Sequence, residues 1–555
     1  MNDSTKAQSN WRNGITTLIV IALLPLGLHV LTQQPVEPVF GGDSNRHVMT
    51  SVFFRDFLTD ADFTDPKGYA ERYYEQYPAL GLLIWPPLFH GVCGVMMCFL
   101  GTSVSVARLL VALSLVSSAW CVYRFTHRIA DKQLAMLTTI VFATMPIIFQ
   151  YGRDVMLEMP AMALILLSVD QFDLWSMTHR PRNLYLAALS ASLAALTRFD
   201  AAVLLPFYAT VLVFRGGWTS LLNRHTVIAV SASLCITGPV YLLIAKEMGK
   251  LHVQQATESV GGSIDGSVNG FMAFKNLWFY PSSMGEQTGW IVSAVAVLGL
   301  ILVLRASDKK KYATLLGLVI ATYITFTPLA EQRARHGIYW LPSVAFFAAF
   351  ATDAVARFLS RTRGWSPLLT TAGAYAALLS TTATAAMYEP TYRVVGYREA
   401  AEFVLEHTEP GDAVFFDGWW DGNFTYFMRH LDPTRSRRVL RGDRILYDFT
   451  CIPTTNFESF AESDSEMLKL ITDAAPRYVV LEYPQFYMHI EKAEQLRRLV
   501  HSCPAQFEPV TTVSVDCSIR QFCQFELQIF RFHPAPADPL PEQMQVSDSA
   551  AANNP

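Results

Sequence analysis

Several ionisable side chains stand at the borders of long apolar runs in a chain that is otherwise poor in charge. Asp43, Arg46 and His47 fall in PVFGGDSNRHVM, and Arg153, Asp154 and Glu158 in FQYGRDVMLEMP. Arg198 and Asp200 fall in LTRFD, and Arg333, Arg335 and His336 in EQRARHG. A carboxylate within reach of a hydroxyl can take up its proton. Guanidinium stays charged and grips phosphate oxygens in pairs, so the arginines suit a phosphorylated ligand. Ionisable groups beside membrane-spanning runs are costly and mark functional positions by default. A plainer account exists for each: a solvated helix end for the arginines, and a turn-forming Asp after Gly41-Gly42 for Asp43. His47, His90 and His336 could join carboxylates around a divalent metal, but no His-x-x-x-His spacing supports one. No cofactor is expected.

The elements that would carry these residues are membrane helices. Only 16% of the 555 residues are charged and 51% are hydrophobic, against roughly 25% charged in a soluble domain. A net charge of −4 without a basic stripe excludes a nucleic-acid partner. Spans are predicted near 14–31, 104–123, 134–150, 158–177, 184–198, 201–214, 226–245, 290–304, 312–330, 338–356 and 366–387, the first as an uncleaved signal anchor. The apolar run 79–100 has the length to span, but Pro86-Pro87 and His90 favour an interfacial or re-entrant segment. On that count one set of loops carries 16 Lys and Arg, against 11 in a set more than twice as long. The positive-inside rule then places the N-terminus in the cytoplasm and loops 32–103 and 246–289 outside. All the polar groups above fall on the external face, which favours one shared cavity. The expected fold is a polytopic α-helical membrane protein of about eleven helices with a C-terminal extra-cytoplasmic α/β domain.

That division gives a membrane-embedded domain over 1–390, an α/β domain over 391–535 and a Pro- and Ala-rich disordered tail over 536–555. GYREAAEFVLEHT and SEMLKLITDA have helical spacing, and GDAVFFDG and PRYVVLEY read as buried strands. Cys451, Cys503, Cys517 and Cys523 cluster in this polar part and suggest disulfides in an oxidising compartment, with no pairing readable. FFDGWWDGNFTYFMRH, with Asp417 and Asp421, is either a sugar-binding surface or, the favoured reading, buried core. Asn423 matches a glycosylation sequon.

The order of these segments resembles a known family. An acidic residue soon after the first helix is followed by WPPLFHGVCGVMMCFLG, then Arg108, then the Arg153–Glu158 turn, Arg198 and RARHGIYWLP. This succession over roughly 10–390 is similar to the multi-pass GT-C-type glycosyltransferases, in particular the protein-O-mannosyltransferase and aminoarabinose-transferase group. Many relatives have Asp-Glu where this chain has Asp43-Ser44, and commonly Asp where it has Glu158. The resemblance implies a membrane transferase that takes a sugar from a polyprenyl-phosphate-linked donor and inverts its anomeric centre. Asp43 would be the base and Glu158 a second carboxylate. Arg153, Arg335, Arg198 and Arg333 would hold the donor phosphate, with Arg46, His47, Asp154 and His336 also in the cavity. The acceptor would be a protein, lipid or glycan outside the plasma (inner) membrane.

Two other classes fit parts of the pattern. A transporter or flippase would place its charges near the bilayer midplane and show paired repeats, which this chain lacks. A membrane-anchored binding protein would act through 391–535 and have no need of Asp43.

Overall fold

The computed structural model describes residues 43–260, 274–329, 332–388, 393–450, 456–484, 490–518 and 525–534, with a few positions between 17 and 27. The chain packs as two compact units. The first comprises Met1–Gln34, Leu82–Phe89 and Ala107–Pro390, the second Pro35–Gly81, His90–Val106 and Thr391–Pro555. The expected boundary at 390 is one edge of the second unit, whose remaining parts come from the first predicted loop.

Helices occupy every predicted span from 104 onward. They run Val104–His127, Lys132–Ala143, Pro146–Tyr151, Glu158–Thr178, Pro181–Ala195, Leu204–Arg215, Arg224–Val260, Trp290–Arg305, Ala313–Phe326, Leu341–Arg363 and Pro367–Tyr388. Among the described residues, three stretches are long and apolar enough to cross a membrane: Val104–His127, Arg224–Lys250 and Ala334–Arg363. The predicted 14–31 span and the 536–555 tail lie largely or wholly outside the described residues.

One expectation is corrected. The single span at 134–150 is two helices, because Pro146 has no amide to donate and biases Met145 to extended backbone (φ −63°, ψ 136°). Within the expected external loop 246–289, nearly all of the described residues are helical. Helix Arg224–Val260 runs 37 residues, about 55 Å, and Phe274–Thr288 forms another helix. The loop 32–103 likewise holds helices Ser44–Asp60, Pro66–Gln76 and Leu88–Leu100. The last has 13 residues, about 20 Å against a hydrocarbon core of about 30 Å, and begins where Pro86-Pro87 ends. The run 79–100 is therefore not one spanning helix.

Close packing and ion pairs hold the first unit together. At Gly299 an added Cβ would collide with the backbone carbonyl of Phe347, so only glycine lets helices Trp290–Arg305 and Leu341–Arg363 approach this closely. Asp170 and Asp173, both buried, take ion pairs from Arg124, Arg128 and Arg215, and Thr314 also donates to Asp173. This network binds the ends of helices far apart in sequence. Helix Arg224–Val260 instead turns Val227, Ile228, Val230, Leu234 and Leu242 outward, as lipid contact requires.

The second unit is built on a six-stranded sheet ordered β1-β7-β8-β6-β2-β3, where β1 is Val394–Val395, β2 Ala413–Asp417, β3 Arg438–Arg441, β6 Tyr478–Tyr483, β7 Phe507–Cys517 and β8 Phe525–Phe532. Strand β2 lies parallel to β3 and β6, whereas β6, β8, β7 and β1 pair antiparallel. A separate pair, β4 (Tyr447–Thr450) and β5 (Asn456–Ser459), lies outside that sheet. Phe415, Val479 and Leu481 pack against Met467, Ile471, Leu496 and Leu499 of the flanking helices. The buried-strand readings of AVFFD and YVVLEY match β2 and β6. In FFDGWWDGNFTYFMRH the aromatic residues Phe415, Phe416, Trp420, Phe424, Tyr426 and Phe427 are buried core. Asn423 is buried in helix Asp421–Leu431, where no glycan fits. Cys503 and Cys517 are buried; Cys451 and Cys523 lie outside the described residues.

Candidate active site

Three of the four polar segments meet within the first unit. Glu158 is the first residue of helix Glu158–Thr178, where the dipole favours a carboxylate, and its side chain is fully buried. Arg198 ends the helical run after Ala195 in extended backbone (φ −157°, ψ 142°) and caps the short 3-10 turn Phe199–Val203. Arg335 lies in a second 3-10 turn, Ala334–Trp340. Oε1 of Glu158 stands 3.1 Å from Arg198 Nη1 and 3.6 Å from Arg335 Nη1. Arg198 Nε also reaches Asp200 Oδ2 at 2.7 Å, and Tyr339 donates to the same oxygen at 3.1 Å. Two guanidiniums thus face one bridging carboxylate and a second one behind it.

The surroundings hold this geometry. Gln287 donates to the carbonyl of Ala334 at 2.6 Å and accepts from the Trp340 indole at 2.8 Å, which ties the turn carrying Arg335 to helix Phe274–Thr288. The amide of Leu88 donates to the carbonyl of Leu196 at 2.9 Å, so the Trp-Pro-Pro-Leu segment lies beside the chain entering Arg198. His336 stacks on Phe326. Burial pushes the Asp200 carboxyl upward, but Arg198 and His336 outweigh it and hold the group below its usual range.

The unusual atom is Oε2 of Glu158, which is buried and has no hydrogen-bond partner among the described residues. A buried acceptor left unmatched is costly, and ionic clusters of this kind are poor stabilisers compared with apolar packing. Such an atom is suited to a hydroxyl donor brought by a ligand, while the guanidiniums suit an anion.

The other expected residues lie in less telling places. Arg153 donates to the Phe149 carbonyl and lies 4.0 Å over the Phe149 ring, and Asp154 accepts the Val155 amide at 2.8 Å. Arg333 is exposed, and Arg108 is buried in its helix. Asp43, Arg46 and His47 belong to the second unit. Asp43 is the N-cap of helix Ser44–Asp60 by position, yet its side chain makes no capping hydrogen bond. Arg46 pairs with Asp421 at 3.4 Å, and His47 meets His90 at 3.0 Å. Tyr339 and Gln287 escaped the sequence reading because neither is ionic at neutral pH. Asp170 and Asp173 were legible as acids inside a span and were passed over.

The fold has known counterparts. The family model for dolichyl-phosphate-mannose-protein mannosyltransferase matches residues 85–242, which include Arg153, Glu158 and Arg198. Among curated proteins no sequence matches the chain. The structure of ArnT from Cupriavidus metallidurans bound to undecaprenyl phosphate is similar with a TM-score of 0.60 at 15% identity, covering 96% of this chain and 100% of that one. The Archaeoglobus fulgidus oligosaccharyltransferase in complex with Zn and sulfate is similar with a TM-score of 0.52 at 15% identity, covering 84% of this chain and 68% of that one. The fold is like that of these two structures over most of the chain. The mannosyltransferase match falls within the part of the chain that this likeness covers.

Proposed function

We propose that the protein moves a sugar from a polyprenyl-phosphate carrier to an acceptor outside the plasma (inner) membrane. The reading is carried by Glu158, whose carboxylate is shared by Arg198 and Arg335 while its second oxygen is left unmatched. It is supported by the likeness in fold to ArnT, whose structure holds undecaprenyl phosphate. In this scheme the N-terminus is cytoplasmic, about eleven helices cross the bilayer, and the α/β domain is extra-cytoplasmic.

Arg198 and Arg335 bind the donor phosphate, with Arg153 and Arg333 as further contacts. Glu158 keeps the two guanidiniums aimed and takes a ligand hydroxyl on its second oxygen. The acceptor oxygen attacks the anomeric carbon opposite the phosphate. The bond from that carbon to the phosphate oxygen breaks, its electron pair leaves with the phosphate, and the configuration inverts. Asp43 accepts the acceptor's proton, and Arg46, His47, Asp154 and His336 shape the surroundings. No cofactor enters the scheme.

The test incubates purified protein with radiolabelled polyprenyl-phosphate sugars and a membrane extract as acceptor source. Wild type is expected to transfer label. Arg335→Ala should lose on the order of 10²-fold in rate, as when one donor to a developing oxyanion is removed. Asp43→Asn should lose about 10²- to 10⁴-fold, the range of general-base catalysis. Full activity in Arg335→Ala would refute the phosphate assignment; full activity in Asp43→Asn would remove Asp43 from the reaction.

A further inference from the structure

The helix that follows Asp43 is held from end to end by charged and polar partners inside its own unit. Near its start, Asn45 donates to Asn423 at 3.3 Å and Arg46 pairs with Asp421 at 3.4 Å. In its middle, helix Leu88–Leu100 comes close at Gly94, where an added Cβ would stand 2.8 Å from Phe54 Cβ and 2.9 Å from the Arg55 amide nitrogen. Near its end, Arg429 forks onto Asp56, Nη2 to Oδ1 at 2.7 Å and Nε to Oδ2 at 2.8 Å, and Tyr73 donates to Oδ2 at 2.7 Å. Arg435 pairs with Asp60 beyond it, at 2.7 Å from Nη2 to Oδ1. Residues 45 and 46 meet 423 and 421, and 56 meets 429, so helices Ser44–Asp60 and Asp421–Leu431 run in the same sense.

The Asp56–Arg429 pair is the most telling of these contacts. Its side chains are 0% and 4% exposed. Well-packed apolar residues of similar volume would stabilise the contact as well or better, so stability does not explain burying two charges. What a two-pronged guanidinium–carboxylate pair adds is direction, because both bonds form in only one orientation. Asp43 is the N-cap residue of this same helix, so whatever fixes the helix fixes where the Asp43 backbone stands.

We infer that Asp56–Arg429, aided by Arg46–Asp421, is a positioning clamp that sets where Asp43 presents its carboxylate. This rests on the assignment of Asp43 as the base. Arg429, Asp56 and Arg46 are positioning residues that act through the helix, and the α/β domain becomes part of the catalytic apparatus without touching substrate.

A double-mutant cycle on the full-length protein tests this, with kcat and donor KM measured on a radiolabelled polyprenyl-phosphate sugar. Arg429→Lys keeps the charge and loses the fork. It should lower kcat by on the order of 10²-fold with donor KM changed less than about twofold, because a displacement of about 1 Å in a reacting group has that effect. In an Asp43→Asn background the same change should cost nothing further, since a clamp acting through Asp43 has nothing left to position. A merely structural role would give the same loss in both backgrounds, and that result overturns the clamp while the base assignment stands. An Asp43→Asn protein with wild-type kcat overturns both. If thermal unfolding shows that Arg429→Lys does not fold, Arg46→Met carries the same cycle, its side chain being 26% exposed.

Discussion

At the scale of single residues, two carboxylates illustrate opposite uses of burial. Glu158 keeps one oxygen without a partner, whereas both oxygens of Glu482 are engaged. Glu482, on β6, accepts the Trp419 amide at 2.7 Å, the Trp420 amide at 2.9 Å and the Tyr397 hydroxyl. Burial pushes its carboxyl up to about 7, although the Tyr397 hydroxyl and the two amides pull the other way. A folded value above the unfolded one stabilises the fold fully below the unfolded value, and the benefit is lost as pH rises through about 7. The change is on the order of 3 kcal/mol. Thermal unfolding should therefore show the second unit weakening between pH 5 and pH 8, and Glu482→Gln should flatten that slope. A wild-type profile that rises over this range, relative to the variant, would contradict the assignment.

Elements show where local signals reached and where they stopped. Apolar runs and prolines located the helix-forming stretches from 104 onward, because hydropathy and a missing amide act within a few residues. The long antiparallel pair β7–β8 was passed over. Residues of β7 such as Glu508, Thr512 and Ser514 face outward, so the segment has no continuous apolar run. Nor did anything local mark Gly299 as a crossing point, since its neighbour is the backbone of Phe347. Gly299→Leu should push the two helices apart, lowering the thermal unfolding midpoint of the purified protein and its yield. A variant as stable as wild type would show that the crossing has slack.

For the whole molecule, the proposed topology makes a clean separation of faces. Arg333→Cys should react with an impermeant thiol reagent in intact cells, and Lys310→Cys only in inverted vesicles. Both positions are exposed. Reversed labelling would place the Glu158 cluster on the wrong side for an external acceptor. The likeness in fold to ArnT spans nearly the whole chain, whereas the family match stops at 242. Sequence likeness thus faded before Arg335, and only the fold carries the comparison through it.

The sequence by itself determined the class: its helix-forming stretches, the two parallel strands of the α/β domain and the polar groups beside the spans. All of these follow from interactions between near neighbours, chiefly burial of apolar side chains and the conformational limits of proline. Tertiary structure alone decided which charges meet. Glu158 takes Arg198 from 40 residues away, and Asp56 takes Arg429 from 373. An ion pair depends on where folding brings two side chains, and the spacing of residues along a chain does not encode that.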